Sequence, residues 1–173
     1  KVNILPVPEN YPDKWWLPAT KVILSAGWPD GIPQFKAGEA FRREIILQAV
    51  GVTESQLPDI NLPQTTDFRQ YPEKPTRQFG IIKGNPAAEE KIINVYIPEK
   101  SGLLTLPEIT LNWYNTQTGT FEKATIPAEK IDVAENPQMA VLTDAVNNTD
   151  KSENTILANN ISIPKKVAPV ETA

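Results

Sequence analysis

Seventeen prolines are spread through the 173 residues, about twice the usual share of about 5%. Each fixes φ and removes a backbone donor, so none suits a helix interior or a central strand paired on both sides. They punctuate the whole chain instead of forming one tract. What fits between them is a succession of short strands separated by turns. With 40% hydrophobic and 22% charged residues, the chain has the proportions of a globular protein with a real core.

Period-two alternation places the strands. The first lies at 22–26, short and apolar, and ends at Gly27. After the loop GWPDGIPQFKAG, residues 39–52 form the longest periodic stretch. Phe41, Arg43, Ile45, Leu47 and Ala49 share one face; Arg42, Glu44, Ile46 and Gln48 share the other. A helix is the rival reading of EAFRREIILQAV. A strand is preferred because no helical pattern occurs elsewhere in this half. Residues 53–66 make a Pro-bounded connection. Further strands fall at 68–71, at 78–82 and 89–97 around a KGNPAA turn, and at 103–114 with a break at Pro107. An NTQTG turn then leads into 120–126, and 130–133 closes the series. Turns at this spacing predict an all-β, immunoglobulin-like antiparallel β-sandwich. Its expected core includes Ile45, Leu47, Val95, Ile97, Leu104, Leu111 and Trp113.

The domain reading follows from texture. Residues 1–14 read as the end of an upstream domain or a linker, extended over 2–7 and broken by Pro6, Pro8 and Pro12. Residues 15–133 are the sandwich. Residues 134–173 contain no aromatic and no Gly, and read as a linker or weakly ordered tail, with a short element expected at 139–146. The sequence starts at Lys1, without a signal peptide or an apolar run approaching the roughly 20 residues that span a bilayer. A piece of a longer protein, anchored elsewhere, is expected.

Composition also bounds the chemistry. There is no Cys and no His. Disulfides, thiolate and imidazole metal sites and Ser-His-Asp triads are therefore excluded, and neither a metal nor a cofactor is expected. The net charge is −4, and the 17 Lys and Arg are scattered, whereas phosphate binding needs a concentrated basic face. No nucleic-acid partner is expected. No GxxxxGK or GxGxxG motif is present. DAVNNTDKSEN is acidic and amide-rich but lacks the Gly and spacing of a calcium loop. Paired carboxylates remain the one catalytic device, and a glycoside-processing enzyme would set two of them across a cleft. Most of the 21 acids instead sit beside Lys in turns such as PEKP and PEKS. The chain reads as a non-enzyme. Asn147-Asn148-Thr149 and Asn160-Ile161-Ser162 match the glycosylation pattern within an Asn-rich tail.

Aromatic residues carry the candidate sites. Trp15 and Trp16 stand at the junction of linker and sandwich, and Tyr114 near a strand end. They either close the open end of the sandwich or present an exposed anchor to a partner, as Trp does at hot spots. A carbohydrate- or ligand-binding sandwich is the alternative, and it needs these side chains to form an exposed concave platform.

The order of several motifs points further. WLPA before an apolar strand and Trp28, then AGEAFRR, GVTESQLPDI, YPEKP, IPEKSGLLTLPEITLNWYNTQTG and IPAEKIDV, resembles the BatD family of bacterial aerotolerance (oxygen tolerance) proteins. The resemblance spans residues 15–133. It implies an envelope protein with tandem immunoglobulin-like periplasmic domains and a C-terminal membrane anchor lying outside this fragment. It also implies partners among Bat-type proteins with von Willebrand A domains, together with a MoxR-type ATPase. No catalytic residues are implied. Tyr114 stands where Trp is about equally expected.

Overall fold

The computed structural model describes residues 7, 9, 11, 12 and 14–138. The expectations for the segment beginning at Val2 and for the tail from Met139 onward fall outside them. Ten strands succeed one another: β1 (Pro18–Ala19), β2 (Lys21–Gly27), β3 (Phe41–Val50), β4 (Phe68–Pro72), β5 (Thr76–Ile82), β6 (Asn85–Pro98), β7 (Gly102–Leu106), β8 (Ile109–Asn115), β9 (Thr120–Ile126) and β10 (Glu129–Val133). A short 3-10 helix, Glu54–Gln56, interrupts the long connection between β3 and β4. The fold is an all-β, immunoglobulin-like sandwich.

The stretch at 41–50 is a strand and not the rival helix, because its period-two apolar face is paired along its whole length with a longer strand. β3 pairs antiparallel with β6 from Phe41↔Tyr96 to Val50↔Ala87. β2 takes the other edge of β3. The far edge of β6 is shared by two short strands, β5 along Asn85–Lys91 and β4 along Asn94–Pro98. The opposing layer consists of β1-β8-β9 and of β7-β10.

Two details differ from the sequence reading. The turn inside KGNPAA is only Lys83-Gly84, whose φ values of 50° and 80° suit a two-residue type I′ hairpin. NPAA belongs to β6. Pro86 is tolerated there because it lies beyond the last β3 pairing, so no ladder bond requires its missing donor. The pairing is also not wholly antiparallel: β1 runs parallel to β8, and Lys36 bridges Ala134 in parallel.

The core corrects one phase. Ile45, Leu47, Leu104 and Trp113 are buried as expected. Val95 and Ile97 are only half-buried, as is Leu111, which still packs on the core. Cross-strand partners share a face. Ile45 therefore brings Ile92 inward, Phe41 brings Tyr96, and the odd-numbered residues of β6 turn outward. The alternation IINVYI is apolar in both phases, so sequence alone did not choose between them.

Two apolar clusters fill the sandwich. One joins β2, β3 and β6 to β8 and β9 through Leu24, Leu47, Ile92, Ile109, Trp113 and Ile126. The connection 53–66 contributes Leu57 and Ile60 to it, a core role its Pro-rich sequence hid. The other joins Phe41, Phe68 and Tyr96 to Leu104, Leu106, Ile131 and Val133. Arg43 and Asn94, directly opposite each other, are buried polar residues on the inner face of the central strands. Arg43 Nη2 donates to Glu129 on β10 at 3.2 Å, and its guanidinium lies 5.8 Å from the Trp28 ring centroid. Asn94 Nδ2 donates to Gln70 on β4 at 3.1 Å. The remaining Arg43 Nη1 donor and Asn94 Oδ1 acceptor have no protein partner among the described residues, and the two complement each other in kind.

Candidate interaction surface

The three aromatic candidates separate into two places. Trp15 and Trp16 are neighbours in sequence but meet different parts of the molecule. Residues 17–19 run along the edge of β8, held by Tyr114 N–H donating to Leu17 O and Thr116 N–H donating to Ala19 O, each at 2.9 Å. Leu17 and Ala19 enter the core. Trp16 turns outward and lies against Tyr114, with ring centroids 5.0 Å apart. Tyr11 packs edge-on against Trp16 at 4.8 Å, and Phe121 completes the cluster beside Tyr11 and Tyr114. The Tyr11 hydroxyl donates to Asn112 O at 2.9 Å. The cluster fastens the N-terminal segment to the outer side of β8 and β9. Trp16 and Tyr114 cover one another and do not form an open platform.

Trp15 lies apart. It is 49% exposed, and its indole N–H donates to Gln56 O at 2.8 Å. The 3-10 turn it meets is held by the Gln56 side chain accepting from Thr53 N–H at 2.9 Å. That turn packs beside β5 and β6.

The NTQTG motif proves to be a local turn device. Asn115 Oδ1 accepts from the N–H groups of Gln117 and Thr118, and Asn115 Nδ2 donates to Glu122 at 2.7 Å. Gly119 takes φ 71°, which favours glycine. The motif joins β8 to β9.

Beside the Trp15 turn is a surface that the aromatic search missed. On the β5–β6 hairpin, Phe79 is 53% exposed, Ile81 71% and Ile82 50%. Ile82, Val50 and Ile23 border a shallow groove of about 320 Å³ on the outer side of the sheet, with Gly80 and Ala87 at its floor. β5 is apolar on both faces. The available signal was the run FGII, which does not alternate and is uninterrupted by Lys or Pro.

The hairpin is anchored by charge. Glu90 is fully buried, accepts from Ile60 N–H at 3.3 Å, and pairs with Arg77 Nε of β5. Arg77 Nη2 reaches Asp59 at 2.7 Å. On the outer face Lys91 pairs with Glu44 at 2.6 Å, and this hydrogen-bonded carboxylate raises the Lys91 pKa above its ordinary value. Glu73 and Glu99 pair with Arg42 and Arg69.

Among the described residues, no helix is long and apolar enough to cross a membrane. No curated protein and no solved structure gave a significant match. A family profile described as the BatD DUF11 like domain matches residues 33–138, more than half of the 173. That stretch runs from the loop before β3 to just past β10, and so includes the central strands, the hairpin and most of the opposing layer. The chain belongs to the BatD family.

Proposed function

We propose that the chain is a non-catalytic protein-interaction module of a membrane-anchored envelope protein, displayed on the periplasmic side and serving tolerance to oxygen or envelope stress. The observation that carries this reading is the concentration of exposed apolar side chains on one sheet edge, Phe79, Ile81 and Ile82, with Trp15 on the adjoining turn. Contiguous exposed apolar surface marks interaction sites, and edge strands add backbone groups that a partner strand can use. BatD family membership supports the envelope setting, and Bat-type proteins with von Willebrand A domains are the partners of this reading. Support for a non-enzyme comes from residue types and pairing. The sequence has no His or Cys, and Glu44, Glu73, Glu90, Glu99 and Glu129 each sit against a Lys or Arg.

The test is crosslinking and co-purification of the full-length protein from membranes. Von Willebrand A-type Bat proteins are the expected capture, and Trp15→Ala combined with Phe79→Lys should reduce it by about tenfold or more. Equal capture by the variant would remove this surface from the reading. Turnover of a glycan or peptide by the isolated chain, abolished by a single carboxylate change, would overturn the non-catalytic assignment.

A further inference from the structure

Strand edges are templates for pairing with another chain, and proteins usually guard them with Pro, Lys, bulges or covering loops. The edges of this sandwich differ in that respect. β4 ends in Pro72, and its Arg69 and Tyr71 share the outer face with Ile97 and Val95. β10 alternates charge, with Glu129, Lys130 and Asp132. β2 starts at Lys21 and packs beside β9. Between Gln78 and Ile82, β5 has no charge and no Pro, and among the described residues only β6 pairs with it.

The hairpin geometry fixes which backbone groups are free. Across a two-residue loop the flanking residues, Ile82 and Asn85, form a hydrogen-bonded pair. Ile82, Gly80 and Gln78 therefore direct their N–H and C=O groups to β6. Ile81, Phe79 and Arg77 direct theirs to the open edge. Pro86, opposite Ile81, agrees with this phase: its carbonyl points the other way and accepts from Gly51 N–H at 2.7 Å.

We propose that two copies of this chain join edge to edge through β5, antiparallel, about a two-fold axis at Gly80. The proposal deepens the interaction reading above by naming a second copy as the occupant of this edge. The evidence for a second copy is that β5 is complementary to itself in this register. Phe79 falls opposite Ile81 of the second copy, and Ile81 opposite its Phe79. These are the residues with outward backbone groups, so each pair exchanges two hydrogen bonds, and their exposed side chains cover one another. Gln78 falls opposite Ile82. Gly80 meets Gly80 at the axis, where a Cβ on either copy would have nothing within 4 Å in its own chain. The register centred on Phe79 instead puts Arg77 opposite Ile81. No charged residue lies within 78–82, and Arg77, which falls opposite Lys83 of the second copy at each end of this stretch, is already paired with Glu90 and Asp59 of its own chain. A two-fold operator with identical patches is the commonest closed assembly.

The chain has no cysteine, which allows a position-specific test. Gly80 lies on the axis as a non-hydrogen-bonded pair, whose Cα separation of about 4.5 Å suits a disulfide. Purified full chain carrying Gly80→Cys should form a disulfide dimer under mild oxidation, whereas Ser25→Cys on β2 should not. Sedimentation of the cysteine-free chain from micromolar to millimolar concentration should show a monomer–dimer equilibrium. Ile81→Pro removes an outward N–H and the Ile81 side chain but no hydrogen bond to β6, and should weaken dimerisation at least about tenfold while keeping the circular dichroism spectrum. Phe79→Lys gives a second route to the same loss without altering the backbone. A monomer at every concentration overturns the proposal, as does dimerisation unaffected by both variants or equal crosslinking at Ser25→Cys. Because only the purified chain is present, this failure is separate from a failure of capture at the membrane.

Discussion

The Arg77–Glu90 pair holds the β5 edge onto the sandwich, and its removal has a calculable cost. Arg77→Ala leaves the fully buried Glu90 carboxylate with Ile60 N–H as its remaining partner among the contacts described above. Truncating one partner of a buried pair costs about 3–5 kcal/mol, because the other charge stays buried without compensation. The Arg77 side chain is 30% exposed. Water therefore already reaches part of it, and the cost falls at or below the low end, about 2–3 kcal/mol. The outer contact with Asp59 adds little, since that carboxylate is almost fully exposed and a surface pair contributes less than about 1 kcal/mol. With a urea m value of about 1.5 kcal/mol/M, the midpoint should fall by about 1.3–2 M. The charge explanation makes a second demand. Arg77→Leu combined with Glu90→Leu removes both charges, keeps apolar volume, and should recover most of the loss. A single-variant cost below about 0.5 kcal/mol would show that Glu90 needs no counter-charge. A double variant as unstable as Arg77→Ala would show that the loss arises from packing.

Leu47 is buried between the layers in the larger cluster, so Leu47→Ala should destabilise by about 2–5 kcal/mol in the same assay; an unmoved midpoint would contradict that placement. Glu44→Gln should lower the Lys91 pKa toward its ordinary value, read by NMR titration of the lysine side chain. A folded-state pKa raised above the unfolded one stabilises at all lower pH and loses that contribution as pH rises through the folded value. The wild type should therefore lose it only at alkaline pH, and the variant should show a flatter alkaline limb. An unchanged Lys91 titration would refute Glu44 as the cause.

Strand positions were legible because Pro and Gly mark the turns and because β3 and β8 alternate at period two. β3 alternates apolar residues with Arg42, Glu44 and Gln48, and only one of its faces can be a core. β6 was misread for the opposite reason. With Ile92, Ile93, Val95, Tyr96 and Ile97 in one run, either phase could face inward, and register with β3 decides. Its inner face also carries Glu90 and Asn94, which sequence reasoning assigns to solvent. They are accepted there because Arg77 and Gln70 come from strands 13 and 24 residues away. The aromatic candidates were found as residue types but not as an arrangement. Trp16 and Tyr114 form a clamp only because β1 lies along β8, a pairing of two residues too short to leave a pattern. The apolar edge at β5 was read simply as a strand, since whether an apolar strand is covered depends on the elements folded beside it.

The buried polar residues and the strand edges are parts of one arrangement. Hydrophobic burial is non-directional, and sliding a strand by two residues keeps the same side chains on the inner face. Apolar contacts alone therefore set the register of a peripheral strand weakly. On the central pair, each buried polar side chain reaches a different peripheral strand: Arg43 to Glu129 on β10, Asn94 to Gln70 on β4, and Glu90 to Arg77 on β5. A two-residue slip of any of these three strands separates such a pair and strands a buried donor, acceptor or charge, at about 1–3 kcal/mol for a neutral group and more for a charge. For β5 the Lys83-Gly84 turn adds a second constraint, because the loop length fixes which residues face β6. The outward N–H and C=O groups of Phe79 and Ile81 are therefore presented at a fixed height on the sandwich. An edge that pairs in one register with a second copy requires that constancy. Exposed apolar side chains on a strand free to slip would select no register.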